Sequence, residues 1–338
     1  MRLLLLALAL AACADFRRPP TFPEQAAGRP VIAEQALLGF SADGDAAVAL
    51  LIDAEGATPQ LSLSLFDAQG GPGRALLSAP EAAARKVAQR VREAGHRPSP
   101  ILAAALASHW PEANARAAEL GFLPRAPAAP EPGRRRWLVD GVRGAGSLPL
   151  ALRLVESGED PRSLVLSLSE RPTGATSGDE VELSRMTLAG VAVTPELWVQ
   201  NGVVWMLAGS SLRGEPLHRA VGVRRGSIAR GEAQLHNLHG LADYGAGELD
   251  SARREFDRAI AADPGFADGL YNAAAAAALA DRAEEAVDFL RRAAAVDPER
   301  VQVLGRNDED LRNLRRRADV RALLGLRRPP PENVPPPP

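Results

Sequence analysis

Two stretches of this chain, 34 residues apart, carry one arrangement of small and bulky apolar residues. In the first, Ala252, Phe256 and Ala259 are followed by Asp263-Pro264; in the second, Ala286, Leu290 and Ala293 are followed by Asp297-Pro298. Steps of three and four put each set on one face of a helix, and a proline just past the last turn ends it. Each such helix has a helical partner ahead of it. Leu235, Leu238 and Ala242 precede the first, and the run Ala273 to Ala278 precedes the second. Alanine favours helix and lets neighbouring axes approach closely. Gly247 suits the turn inside the first pair, and Asp281 stands at the equivalent place in the second.

This spacing resembles the tetratricopeptide repeat, whose pattern matches at Gly240, Ala252, Phe256, Ala259 and Pro264. His236 replaces the usual first-helix aromatic, Tyr244 and Tyr271 are displaced by one place, and Asp281 replaces a turn glycine. The resemblance implies a protein-binding face along the first helix of each pair, at Gln234, Asn237, Leu241, Tyr244, Asp268, Tyr271 and Asn272. Members of the family that clamp a terminal carboxylate line this face with lysine and arginine, which are missing here. Two repeats are fewer than the three that usually stack stably. Residues 299–325, with Asp308 to Leu314, Val320 and Leu323-Leu324, resemble the terminal helices that close such arrays. The whole module is expected over 232–325. A second reading stays open, in which the pair only docks the preceding part of its own chain.

The chain begins Met1-Arg2, followed by an apolar run from Leu3 to Ala12 and then Cys13. A charged start, a short apolar run and small residues describe a secretory leader over 1–12. The run is about half the roughly 20 residues that span a bilayer as a helix. Leu10-Ala11-Ala12-Cys13 resembles the lipobox of bacterial lipoproteins. That resemblance implies a diacylglyceryl group on the Cys13 thiol and, with Ala14 next, sorting to the periplasmic side of the outer membrane. Two or three acyl chains anchor firmly where one binds only marginally. Cys13 is the only cysteine, so a disulfide within one chain is excluded. Residues 13–30 read as a flexible tether, and the proline-rich 326–338 as an extended tail.

Between the tether and the helices, residues 31–226 read as a β-rich domain. Strand-length apolar runs are expected at 35–40, 46–52, 61–66, 137–139, 148–155, 163–168, 181–188, 203–207 and 218–223. Leu61, Leu63 and Leu65 alternate with serines and predict a half-buried strand. Helices are expected from Pro80 to about Ala94 and from Pro111 to near Gly121, packed on a sheet. Gly39 to Gly44 resembles the opening of a TolB-type propeller blade, but the strands are too few for a propeller. The fold class is therefore α+β: an N-terminal β-rich domain followed by a short helical repeat array.

A net charge of −2 makes no case for nucleic acid, which needs a concentrated basic face. No phosphate loop, dinucleotide fingerprint or zinc-protease motif is present, so no cofactor is expected. Gly209 to Gly214 lacks the order of a nucleophile elbow and reads as a turn. His236 and His239 are three apart on a helix, as metal ligands can be. No further ligand follows at ligand spacing, so they read as packing and surface, and no metal is expected. Trp137, Trp198 and Trp205 read as core aromatics rather than a sugar-stacking platform. The arginines at 134–136 and 315–317 read as solvated faces, and Glu284-Glu285 as a helix surface with local ion pairs. The resulting expectation is a non-enzymatic outer-membrane lipoprotein that binds protein partners in the cell envelope through its repeats. The alternative is a β-rich domain that binds a small ligand or polysaccharide, the repeats being structural.

Overall fold

A computed structural model describes residues 33–53, 58–67, 74–94, 107–125, 128–129, 136–140, 149–157, 162–171, 179–188, 191–211 and 219–326. The leader, Cys13, the tether, residues 134–135 and the tail beyond Leu326 lie outside them. The architecture is α+β, with β-sheets preceding a helical region.

The larger sheet has seven strands: β1 (Ala33–Phe40), β2 (Ala47–Asp53), β3 (Gln60–Phe66), β4 (Arg74–Ser78), β9 (Val191–Gln200), β10 (Val203–Ser211) and β11 (Arg219–Ser227). Their order is β4-β3-β2-β1-β11-β10-β9. The β1–β11 pair is parallel and every other neighbouring pair is antiparallel. Two of these strands stand where the apolar pattern predicts none. β4 is short and forms one edge of the sheet. β9 forms the other edge, where Pro195 is tolerated because an edge residue need not donate to a neighbour. β9 turns into β10 through Asn201 and Gly202, both at positive φ, the two-residue hairpin turn that matches strand twist.

β3 carries its three leucines on one face, as the alternation predicts, with Leu65 partly buried beside Leu61 and Leu63. It is interior, between β2 and β4. Leu61 and Leu63 are buried on one face, under α1 (Glu81–Ala94) and α2 (Pro111–Glu119), with Val48, Ala84, Val87, Ala88, Trp110, Ala113 and Ala117. Helices over 80–121 do pack on a sheet, as their spacing predicts. Phe66 points the other way into a second core with Phe40, Ala47, Ala49, Trp198, Val203, Trp205 and Leu207. Gly209 to Ser211 also departs from expectation, because these residues pair along β10 with both β9 and β11 rather than turning.

A four-stranded sheet follows the order β5 (Arg136–Asp140), β6 (Pro149–Ser157), β7 (Arg162–Glu170), β8 (Glu180–Leu188). Leu164, Leu166 and Leu168 are fully buried along β7, as their alternation predicts, and Ser163 and Ser167 are buried as well.

The helical region runs α3 (Ile228–Ala246), α4 (Leu249–Ala262), α5 (Ala267–Leu279), α6 (Ala283–Val296), α7 (Pro298–Gly305), two 3-10 turns (Glu309–Leu311 and Leu314–Arg316) and α8 (Ala318–Leu323). α4 and α6 are both 14 residues long and start 34 positions apart. The turns ahead of them match too, since Gly247 has φ +84 and Asp281 has φ 58 at equivalent places. One core joins Ala252, Phe256 and Leu270 to Ala286, Val287 and Leu290, and then to Val301, Leu311, Leu314, Val320 and Leu324 from the last segment. Gly240 makes this packing possible: a Cβ there would lie 2.5 Å from the Phe256 ring.

By compactness the chain divides into two units. Of the described residues, the first takes those up to Leu138 with those in 151–168 and 182–228; the second takes those in 139–150 and 169–181 and those from Ala229 onward.

Candidate functional site

On α3 the residues Gln234, Asn237, Leu241 and Tyr244 follow one another at helical steps of three and four, which places them on one face. α5 supplies Asp268, Tyr271 and Asn272. The two helices are joined across this face by a hydrogen bond from Asn272 Nδ2 to Asn237 Oδ1 at 2.8 Å. The seven residues expected at a binding face therefore come from two elements that touch.

Most of that face is filled by the chain itself. Tyr271 donates its hydroxyl hydrogen to Asp308 Oδ2 at 2.5 Å. Tyr244 does the same to Asp310 Oδ2 at 2.5 Å. Asp268 receives the Arg300 guanidinium as a fork, Nε to Oδ1 at 2.8 Å and Nη2 to Oδ2 at 3.1 Å. Such two-pronged pairing fixes geometry as well as charge. Arg315 braces the segment from behind by donating to the carbonyls of Gly305 and Asp308. Gln234, Asn237 and Tyr271 are buried, whereas Leu241 and Tyr244 keep partial access to solvent. Arg300, Asp308 and Asp310 have no place in the repeat pattern, and no local sequence signal links them to partners more than thirty residues away.

The electrostatics follow from this burial. Desolvation, reinforced by the Asp310 and Asp308 carboxylates respectively, pushes the phenols of Tyr244 and Tyr271 far above the ordinary tyrosine range. Both are neutral donors at any physiological pH. Burial also raises Asp308, and this outweighs the hydrogen bonds from Tyr271 and the Asp310 amide and the field of Arg315.

The other groups singled out by the sequence are placed as follows. Trp137, Trp198 and Trp205 are buried, and each indole N–H donates to a backbone carbonyl, of Ala128, Arg125 and Gly44 respectively. Glu284 and Glu285 do not rely on local pairing alone, since Glu284 meets Arg317 of the last segment and Glu285 meets Arg253 of α4. His236 and His239 come together with Glu255 of α4, one donor atom of each lying within 4.8 Å of the others. That third residue comes from the neighbouring helix, where ligand spacing along one helix does not reveal it.

Among the described residues, no helix is long and apolar enough to cross a membrane. No family model, curated protein or solved structure matches this chain.

Proposed function

We propose that this chain is a lipid-anchored protein of the outer membrane, facing the periplasm, that acts as a non-enzymatic protein-binding or assembly factor through its C-terminal helical module. In this reading the module is a pair of tetratricopeptide repeats with a cap, anchored to the bilayer through Cys13. The observation that carries it is the α3–α5 wall, where residues expected from two separate repeats meet through Asn237 and Asn272. The acidic segment at Asp308 and Asp310 occupies the Tyr244–Tyr271 end of that wall. The partner therefore engages the part around Leu241, which is only partly buried. The buried tryptophans offer no stacking face, which favours this reading over a sugar-binding sheet.

Because Asn237 and Tyr271 are buried, replacing them disturbs the fold before it disturbs a partner. Leu241→Glu is the better probe. Affinity capture from detergent-solubilised envelopes with the wild-type chain is expected to retain a partner that the Leu241→Glu chain loses at unchanged helical content. Identical partner sets for the two chains contradict the proposal.

A further inference from the structure

We propose that His236, His239 and Glu255 form a binding site for a divalent transition-metal ion of the zinc class. α3 places the two imidazoles three positions apart, with their rings edge to face and centroids 6.4 Å apart. α4 brings Glu255 against the first of them, with Oε2 2.8 Å from His236 Nδ1. One donor atom from each side chain already lies within 4.8 Å of the other two. Zinc bonds of about 2.0–2.2 Å in tetrahedral geometry separate ligand atoms by roughly 3.3 Å, so small side-chain rotations close the set.

More than proximity marks this cluster. His236 is 1% exposed, and its Nδ1, 2.8 Å from Glu255 Oε2, is the nitrogen that faces the cluster. Glu255 also pairs through Oε1 with Arg258 of its own helix, which leaves Oε2 on the ring. His239 Nε2 lies 3.4 Å from Asp179 Oδ2 and 3.8 Å from Glu170 Oε1. Those two carboxylates add negative potential on the side where His239, at 31% exposed, meets solvent.

The donor chemistry selects the ion class. Two imidazoles and one carboxylate suit zinc and its neighbours, whereas calcium and magnesium take oxygen ligands almost exclusively. Three protein ligands with one position left over also differ from a closed structural site, which uses four.

The test uses the full chain, purified without a histidine tag and stripped with chelator. Zinc titration against a chromogenic chelator is expected to show one ion per chain. His239→Ala and Glu255→Gln should each weaken binding by at least about 10- to 100-fold, while His109→Ala leaves it unchanged. Far-UV circular dichroism checks that each variant is folded. A readout on the wild-type chain avoids reliance on variants: of the five histidines, two should shift their imidazole proton resonances on zinc addition. Wild-type affinity retained by either variant, an absence of saturable binding, or resonance shifts confined to other histidines overturns the proposal.

Discussion

The hydroxyl of Tyr271 meets the carboxylate of Asp308 at 2.5 Å, and through this bond the last segment of the chain closes over the α3–α5 wall. Tyr271 is buried in the same core as Leu311 and Leu314, so the closing segment is part of the packing. Tyr271→Phe keeps the ring and removes the donor. A buried charged acceptor left without its partner costs about 1–3 kcal/mol, to be read from chemical denaturation of the helical signal.

The same pair sets a pH dependence. The folded-state pKa of Asp308 is raised above its ordinary value, chiefly by burial. Its favourable contribution is therefore complete below the ordinary carboxylate value and is lost as pH rises through the folded value. Loss of the phenol hydrogen bond raises that folded value further. The destabilisation by Tyr271→Phe should accordingly be larger at neutral pH than at acidic pH, as denaturation at several pH values would show.

Gly240 sits where a Cβ would lie 2.5 Å from the Phe256 ring, and Phe256 is fully buried. Gly240→Ala forces that ring to move inside a packed core. Overpacking of this kind costs about 1–3 kcal/mol, despite the better helix propensity of alanine. Thermal melts followed by circular dichroism of the helices should register the loss.

Asp281 holds φ 58 in the turn where the first helix pair uses Gly247 at φ +84. Left-handed backbone costs a residue with a Cβ roughly 1–2 kcal/mol, less for aspartate, and glycine nothing. Asp281→Gly is expected to stabilise the module by up to about 1 kcal/mol, and Gly247→Ala to destabilise it by about that much. Denaturant midpoints of the two variants should therefore move in opposite directions.

The lipid anchor proposed at Cys13 has its own test. The wild-type chain should fractionate with membranes and carry the added mass of acyl chains. Cys13→Ala should retain its leader and lack that mass. A wild-type chain of unmodified mass contradicts the anchor.

The helices and the 34-residue spacing were legible because a helix writes its buried face into the sequence at steps of three and four. The links that fill the wall, Arg300 to Asp268 and Asp308 to Tyr271, were not, because each joins residues more than thirty positions apart and leaves no local trace. Glu255 escaped the metal reading for the same reason, lying on the neighbouring helix. β9 is different: Asn201-Gly202 is a hairpin signal present in the sequence, but Pro195 obscures the strand before it. The alternation in β3 shows its leucine face, but Ser64 on the opposite face is buried as well. Serine can be buried on a sheet, and alternation alone cannot show that.

The central claim is that the helical module engages a protein partner in the cell envelope. The most direct measurement places a photo-crosslinking residue at Leu241 in the full chain and irradiates intact cells. Leu120, 42% exposed and outside the helical module, serves as the control position. The account predicts a discrete adduct with another envelope protein at Leu241 and not at Leu120. No adduct at Leu241, or the same adducts at both positions, would contradict it.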